Sequence, residues 1–384
     1  MKGIDIMKYM TNDKINLKIL IPLFLMAIIS IITIYSALTY TSQSLGNLAL
    51  KQAIWYIVGS VLVFIILKLK NDFLYRHTWF LYILGNILLV GLLLFGTPIN
   101  NSKCWFTIPG VGSIQPSEFM KVFVMLVLAT MIHNFRSDYK NPSIKEEFLF
   151  ILKSLIVVLI PAILTFLQPD TGAVIIYLVI YIVMMFASGI RFRWFVLGFL
   201  LVTLGIGSVL GIYFFKEELF IDLFGTSIFY RLDRLFDWQN GSGFQLENAL
   251  AAIGSAGLFG HGFNKTPIYF PESSTDFIFA VFASNFGIIG VLILLSIIIY
   301  FDIELIKIGK RKIDDTNKYI LAGVVGMLLF QQIQNIGMTV GLLPITGITL
   351  PFISYGGSSL LSYMLLVGIL LNISMEKEKK YKYR

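Results

Sequence analysis

Residues 17–40 decide the fold and read LKILIPLFLMAIISIITIYSALTY, an apolar run in which Lys18 is the only charged residue. A helix needs about 20 mostly apolar residues to cross the hydrocarbon core of a bilayer. A secretory signal peptide has a shorter apolar core and a small-residue cleavage site. The run is too long for a signal peptide, so we expect it to form a retained membrane-spanning helix.

Nine further apolar blocks follow along the chain. Hydrophobic residues make up 57% of the 384 residues and charged residues only 14%, against about 25% charged residues in soluble domains. The blocks are continuous, whereas strands of a membrane β-barrel show weaker, alternating segments of about ten residues. The sequence therefore predicts an all-α polytopic membrane protein with about ten transmembrane helices. The predicted spans are 17–40, 52–67, 79–95, 118–131, 150–167, 172–189, 194–215, 277–301, 319–343 and 360–373.

The basic residues are distributed unevenly between the two sides of the membrane. Short loops rich in Lys and Arg remain cytoplasmic, and most of the 30 basic residues fall in alternate loops and near the two ends of the chain. Both termini are therefore predicted to be cytoplasmic. The chain divides into a cytoplasmic segment 1–16, a single ten-helix domain 17–374 and a basic cytoplasmic tail 375–384. Within the domain, residues 216–275 are predicted to form a large extracytoplasmic loop between helices 7 and 8, with a short surface helix at 246–253.

The formal net charge of +8 follows from this topology and favours contact with anionic membrane lipid. The basic residues are scattered over separate cytoplasmic pieces, so we expect no binding to nucleic acid. Cys104 is the single cysteine, which rules out an internal disulfide, and it has no Cys or His neighbour for a metal site. There is no Walker A loop, so hydrolysis of ATP is not expected.

Four loops on the predicted outer side carry clusters of polar residues, Pro and Gly, which indicates that the working surface faces outward. The longest cluster reads PITGITLPFISYGGSS from residue 344 to 359. Irregular backbone is tolerated at membrane depth only where it is buried in protein or lines a wet cavity. Composition alone does not decide between a re-entrant loop of a transporter and the wall of a lipid-substrate groove. The four clusters are 105–121, 168–172, 271–276 and 344–359.

Four charged residues in these clusters are candidates for chemistry. Glu118 and Lys121 are three apart and share a helix face, so they predict a structural ion pair, a polar cavity wall, or both. Asp170 is placed to cap the next helix, with direct contact to substrate or metal as the alternative. Asp276 lies where the long outer loop meets an apolar helix. A partly desolvated carboxylate there has a raised pKa and is a better base, although it would also suit the N-cap of the eighth helix.

These motifs resemble those of the SEDS family, which includes RodA, FtsW and SpoVE. The resemblance extends over nearly the whole chain and implies a peptidoglycan glycosyltransferase with ten helices. Such an enzyme polymerises lipid II, the undecaprenyl-diphosphate-linked disaccharide-pentapeptide, on the outer face of the bacterial plasma membrane. The resemblance also implies a class B penicillin-binding protein as the transpeptidase partner. The segments that carry it are 103–105, 115–121, 168–172, 275–280 and 335–359.

The resemblance also implies roles for individual residues. Asp276 matches the catalytic residue of the family and is expected to deprotonate the acceptor 4-hydroxyl of N-acetylglucosamine. Positive groups are expected to stabilise the diphosphate leaving group, with Mg²⁺ or Mn²⁺ as an optional cofactor whose ligands are unknown. The residues expected to bind substrate are Lys103, Trp105, Gln115, Ser117, Glu118, Lys121, Asp170, Arg231, Arg234, Ser354, Gly356, Gly357 and Ser358.

Some positions depart from the family pattern. Cys104 stands where the family commonly has Arg, and Ser284 and Asn285 stand where it tends to have acidic residues, which weakens the case for a metal site. The compact length and short tails favour the RodA type, which serves cell elongation and shape, with division and sporulation left open. The rival functions are a lipid II flippase, which would need polar access from both membrane faces, and an inert scaffold for the transpeptidase.

Overall fold

The computed structural model describes residues 16–37, 48–96, 103–108, 112–226, 228–229, 243–311 and 314–376. Arg231, Arg234 and most of the predicted terminal segments lie outside these residues. Within the described ranges, two short strands pair and the regular structure is otherwise helical. The helices are α1 (Leu17–Ala37), α2 (Leu48–Arg76), α3 (Thr78–Phe95), α4 (Pro116–Asp138), α5 (Ile144–Leu167), α6 (Thr171–Ala187), α7 (Arg193–Phe215), α8 (Glu217–Phe224), α9 (Phe244–Gly254), α10 (Ile278–Gly309), α11 (Asp315–Thr339) and α12 (Gly357–Met375).

Nine of the described helices are long and apolar enough to cross a membrane, and α6 is a shorter apolar helix of 17 residues. Together they match the ten predicted spans in order, which confirms the all-α polytopic fold. The largest differences are at helix ends. α2 runs on to Arg76 through a non-helical residue, Lys70, and α10 runs on to Gly309, because a helix can continue beyond its apolar block. The predicted N-in, C-in orientation stays a prediction.

The middle of the bundle is formed by α4, α11 and α12. Their spanning windows are 61%, 61% and 83% buried, whereas that of α7 is 0% buried. α12 packs against α2 and α4, and α11 packs against α4, α6 and α10. The buried side chains of these three helices include Lys121, Gln331, Asn335 and Ser362. Such groups are costly in contact with lipid, so their burial explains why these three helices take the central positions.

The segment between α11 and α12 has no regular secondary structure and is enclosed by protein. The Ser30 hydroxyl donates a hydrogen bond of 2.7 Å to the carbonyl of Ile353, and Gln52 Nε2 donates one of 3.3 Å to the carbonyl of Ser354. The Tyr56 hydroxyl donates to the carbonyl of Phe352. Side chains of α1 and α2 thus satisfy carbonyls that a helix would have paired, as irregular backbone at membrane depth requires.

α10 is kinked at Gly287, which has a φ of +63°. The loop after α9 docks against this kink. The amide of Gly262 donates to the carbonyl of Asn285 at 3.0 Å, and the amide of Ile289 donates to the carbonyl of Leu258 at 3.1 Å. A Cβ at Gly287 would lie 2.4 Å from the amide nitrogen of Gly260, so the two backbones can meet only at glycine. The loop after α9 therefore fixes the N-terminal segment of α10, which begins two residues after Asp276.

Three elements were not predicted or only partly predicted. The strands β1 (Phe106–Ile108) and β2 (Gly112–Ile114) form an antiparallel hairpin in a region that the sequence indicated only as a polar loop. α8 was not predicted. α9 confirms the short helix within the long loop, and it buries Leu246 and Ala249 where it packs against α10. Its predicted place on the bilayer surface is not tested by these contacts.

Candidate active site

A cavity of about 620 Å³ lies where the four predicted polar clusters meet. Its walls come from α2, from the β1–β2 hairpin, from the first turns of α4, α6 and α12, from α11, and from the loops before α10 and α12. Chain segments as far apart in sequence as Lys51 and Ser359 are thus brought together. The predicted site residues that line the cavity are Trp105, Gln115, Glu118, Asp170, Asp276, Gly356, Gly357 and Ser358.

Asp170 is fully engaged in holding structure. Its Oδ1 accepts a hydrogen bond of 3.1 Å from the amide of Ala173, which makes it the N-cap of α6 as predicted. Its Oδ2 accepts hydrogen bonds from Gln115 Nε2 at 2.8 Å and from the Ser117 hydroxyl at 2.9 Å. Ser117 is itself buried. Because Asp170 accepts hydrogen bonds from both helices through these three donors, it joins α4 to α6.

Glu118 and Lys121 form the expected ion pair, with Lys121 Nζ 2.6 Å from Glu118 Oε2. The Lys121 side chain is only 1% exposed, and that of Glu118 is 13% exposed. The ammonium also lies 5.1 Å from the centre of the Tyr363 ring. Lys121 stands behind the cavity wall, whereas Glu118 lines the cavity. The pair therefore combines the two predicted interpretations, with a buried cation that holds a carboxylate at the cavity surface.

Asp276 is a cavity carboxylate that takes no part in these two networks. α10 begins at Ile278 with Phe277 at its N-cap and no side-chain cap, so the alternative role of Asp276 as a helix cap is wrong. Within the described part of the chain, no side chain donates a hydrogen bond to its carboxylate. Burial, and secondarily the negative charge of Glu272, raise the pKa of Asp276 to about 7. A half-buried carboxyl of this kind is suited to accept a proton near neutral pH.

The backbone around Asp276 is held from two sides. The Ser354 hydroxyl donates a hydrogen bond of 2.7 Å to the carbonyl of Thr275, and the amide of Tyr355 donates one of 2.9 Å to the carbonyl of Ser274. Asn335 Nδ2 donates to the carbonyl of Asp276 itself at 2.8 Å. These bonds fix the main chain, which leaves the carboxylate as the free group of this turn.

Two glycines of the cavity lining lie against the side chains of Asp276 and Trp55. Gly347 has a φ of +69°, and a Cβ there would lie 3.5 Å from Asp276 Oδ2. A Cβ at Gly357 would lie 2.6 Å from Cε2 of Trp55, so the first turn of α12 can rest on this indole only without a side chain. The hydroxyl of Ser358 accepts a hydrogen bond of 2.9 Å from the amide of Gln115, which links α12 to the start of α4.

Several predicted substrate contacts are placed elsewhere. Ser117, Lys121 and Ser354 are buried behind the wall, because each is drawn into a hydrogen bond or ion pair with its neighbours. Lys103 is exposed but does not line the cavity. Arg231 and Arg234 lie outside the described residues, so their assignment stays a prediction.

The structure also brings in residues that the sequence analysis did not single out. Lys51 and Trp55 of α2, Glu272 and Gln331 all line the cavity. Lys51 is the one cationic residue of the lining among the residues that the structure describes. The available signal was its position, since a lysine at the predicted outer end of a helix runs against the cytoplasmic bias of basic residues. Glu272 precedes Asp276 by four residues in an otherwise small and polar run.

Cys104 lies in the cavity wall, at the position where the family that the motifs resemble commonly has Arg. Its thiol donates a hydrogen bond to the carbonyl of Gln168 at 2.8 Å. Burial, and secondarily the charge of Asp170, raise the pKa of Cys104 to about 12, so the thiol is neutral. Among the described residues, no three His, Cys, Asp or Glu side chains are grouped to hold a metal ion.

Comparisons with known proteins agree with this architecture. The family model of FtsW, RodA and SpoVE, described as a cell cycle protein, matches residues 16–379. The probable peptidoglycan glycosyltransferase FtsW of Lactococcus lactis is 30% identical over 96% of this chain and 94% of its own length. Stage V sporulation protein E of Bacillus subtilis is 32% identical over 95% and 99% of the two chains.

Solved structures show the same fold. A chain from a peptidoglycan synthase complex, studied for the coordination of polymerization and crosslinking, superimposes with a TM-score of 0.77 at 23% identity. The match covers 94% of this chain and 98% of the other. The rod shape determining protein RodA of Thermus thermophilus superimposes with a TM-score of 0.67 at 24% identity, covering 94% of this chain and 97% of the other.

Proposed function

This chain belongs to the family of FtsW, RodA and SpoVE, and from that membership we propose that it is a peptidoglycan glycosyltransferase of the plasma membrane. Relatives that match 96% and 86% of its length are named probable peptidoglycan glycosyltransferases. The observation in the structure that carries the proposal is the free carboxylate of Asp276 in a polar cavity. We further propose lipid II as the substrate, which supplies both the donor and the acceptor sugars.

Asp276 acts as the general base in this proposal. The acceptor 4-hydroxyl of N-acetylglucosamine gives its proton to the carboxylate of Asp276, while its oxygen forms a bond to the anomeric carbon of the donor. The bond from that carbon to the diphosphate oxygen breaks, and undecaprenyl diphosphate leaves with the electron pair. One displacement of this kind inverts the anomeric configuration. A positioned base typically contributes 10²–10⁴ to such a rate.

The leaving group carries at least two negative charges and faces a cavity lined by four carboxylates. Those of Glu118 and Asp170 are compensated by Lys121 and by three hydrogen-bond donors, respectively. Lys51 is the cavity cation available to the diphosphate among the described residues, and Arg231 and Arg234 are further candidates. The described residues offer no metal-ligand cluster, so these residues would leave most of the ligands of a divalent cation to the diphosphate.

We also propose a class B penicillin-binding protein as partner. Its support is the likeness in fold to a chain that works in a peptidoglycan synthase complex. The choice between elongation and division stays a prediction, because the relatives in sequence are FtsW and SpoVE proteins and the solved chains include RodA.

The decisive experiment is polymerisation of labelled lipid II by the purified protein, with and without the partner, and separation of the glycan strands on a gel. We expect strands from the wild type and at least about a 100-fold lower rate from Asp276→Asn. Asp222→Asn, on an exposed face of α8, is the matched control and should polymerise normally. Movement of lipid II across the membrane of vesicles without strand formation would favour the flippase. Normal strand formation by Asp276→Asn would rule out Asp276 as the general base.

A further inference from the structure

Glu272 occupies a backbone conformation that an L-residue seldom adopts. Its φ is +52°, in the left-handed region where a side chain other than Gly, Asn or Asp is uncommon. Strain of this kind persists only where the surrounding structure imposes it, and it concentrates at functional sites. The preceding carbonyl, that of Pro271, accepts a hydrogen bond of 3.2 Å from Gln245 of α9. A helix within the long loop therefore helps to impose the conformation.

Glu272 builds the turn that carries Asp276. Its carbonyl accepts hydrogen bonds from the amide of Thr275 at 3.2 Å and from the amide of Phe277 at 3.0 Å. Its carboxylate accepts a hydrogen bond of 2.7 Å from the Thr275 hydroxyl, through Oε2. Main chain and side chain of one residue thus close the turn on both sides of Asp276.

The carboxylates of Glu272 and Asp276 face the same cavity. Neither is in an ion pair within the described residues, unlike Glu118 with Lys121. A negative charge near a half-buried carboxyl disfavours ionisation of that carboxyl, and here the half-buried group is Asp276. The other titratable groups lining the cavity are Lys51 of α2, Cys104, Glu118 of α4, Asp170 at the start of α6 and Tyr355 before α12.

We propose that Glu272 is a positioning residue of the reaction, which holds the turn that presents Asp276 and places a second negative charge on the same cavity wall. This inference rests on the proposed function and assigns it a second carboxylate. The expected consequence is a stronger base than an isolated aspartate would be. The raised pKa of Asp276, caused first by burial and then by Glu272, agrees with this geometry.

The test is the pH dependence of lipid II polymerisation at saturating substrate. Activity that needs ionised Asp276 rises with pH through the pKa of that group. Glu272→Gln keeps the length of the side chain and an acceptor for Thr275 but removes the charge. The pKa of Asp276 should then fall, and the acid limb of the profile should move to lower pH by on the order of 0.5–1 unit. The plateau rate should fall a few-fold, because the weaker base removes the proton less readily.

Glu272→Gly is the second variant, because glycine adopts a φ of +52° without strain and a failure to fold is then not expected. Glu272→Gly should shift the acid limb of the pH profile to lower pH as Glu272→Gln does. It should lower the plateau rate further, because the hydrogen bond from the Thr275 hydroxyl is also lost. Glu247→Gln makes the same chemical change at an exposed position on α9 and should leave the profile unchanged. Thermal unfolding of each protein in detergent checks that the fold is retained.

The outcomes separate the two claims. A wild type that makes strands, with both Glu272 variants shifted to lower pH, supports the inference. A wild type that makes strands, with variants that only slow at every pH or coincide with the wild type, overturns the role of Glu272 and leaves the proposed function standing. A wild type that makes no strands overturns both.

Discussion

Asn335 of α11 donates through Nδ2 to the carbonyl of Asp276 and to the carbonyl of Ile348, each at 2.8 Å. One buried amide thus joins the turn that carries the candidate base to the irregular segment between α11 and α12, which also lines the cavity. The two segments are about 70 residues apart in sequence and come from loops without regular structure. Their relative position at the site therefore depends on a helix of the bundle core that touches both.

We expect Asn335→Ala to lower the polymerisation rate by about 10- to 100-fold while lipid II binding is largely retained. Two buried carbonyls would lose their donor, at about 1–3 kcal/mol each, and the turn with Asp276 would lose its tie to α11. The neighbouring Gln334 donates one hydrogen bond of 2.8 Å to the carbonyl of Pro344. Gln334→Ala is therefore the matched control, which should lower thermal stability but not the rate. Equal rates for both variants would contradict the prediction.

The ion pair of Glu118 and Lys121 predicts a large and asymmetric response to mutation. Lys121→Met leaves a mostly buried carboxylate uncompensated and should cost about 3–5 kcal/mol. The double variant Glu118→Gln/Lys121→Met should recover most of this stability, because no buried charge remains. Polymerisation should stay low in the double variant, since Glu118 supplies a charged part of the cavity wall. Thermal unfolding and the gel assay measure the two effects.

A second pair with the same i,i+3 spacing provides the control. Lys318 and Asp315 lie 2.9 Å apart, but their side chains are 43% and 66% exposed. Lys318→Met should change stability by less than about 1 kcal/mol. If the double variant at the buried pair regained full activity, the pair would be structural only, and the cavity role of Glu118 would be lost.

The fold was predictable because each transmembrane helix can be recognised from the apolar residues of its own segment. Residues 17–40 indicate α1 without knowledge of any other segment. The hairpin of Phe106–Ile108 with Gly112–Ile114 was not predictable, because three-residue strands exist only through their pairing. α8, at eight residues, is likewise too short for an apolar pattern to identify.

The sequence predicts which loops form the site, but it does not predict the role of each residue in those loops. Asp276 and Asp170 look alike in sequence, as acids just before apolar helices. The structure gives the cap to Asp170 and leaves Asp276 two residues ahead of its helix. Ser354 was expected to contact substrate, yet its hydroxyl is used to hold Thr275. Such assignments depend on which donors the folded chain brings within reach, and sequence spacing does not contain that information.

A substitution at Gly347 can separate the cost of backbone strain from the cost of filling the space beside the candidate base. It has a φ of +69°, and a Cβ there would contact Asp276 Oδ2 at 3.5 Å. Gly257 has a φ of +59° with open space around its Cβ position. Both Gly→Ala variants should lose about 1–2 kcal/mol of stability from the left-handed backbone. Only Gly347→Ala should reduce polymerisation, by about tenfold, because its methyl group would contact Asp276 Oδ2 and occupy space that the acceptor hydroxyl needs to reach the carboxylate. A similar loss of activity in both variants would assign the effect to stability alone.

The position of Lys51 leads to a prediction about how the site binds the diphosphate leaving group. It stands at the start of α2 on the cavity lining, among Glu118, Asp170, Glu272 and Asp276. A diphosphate that enters this cavity meets four carboxylates. Loss of Lys51, the one cation among the described lining residues, should therefore weaken diphosphate binding strongly. We expect Lys51→Gln to weaken binding of undecaprenyl diphosphate about tenfold, with a smaller loss at high salt, because ions screen exposed charges.

Binding can be measured by quenching of tryptophan fluorescence, since Trp55 and Trp105 also line the cavity. Lys265→Gln, at another exposed lysine of the predicted outer side, is the control and should bind normally. Lys51→Arg keeps the positive charge and should retain most of the affinity. If Lys51→Gln bound the diphosphate as tightly as the wild type, the charge that meets the leaving group would have to come from residues outside the described ranges. Arg231 and Arg234 would then be the residues to mutate, because they are the two arginines of the predicted outer loop 216–275.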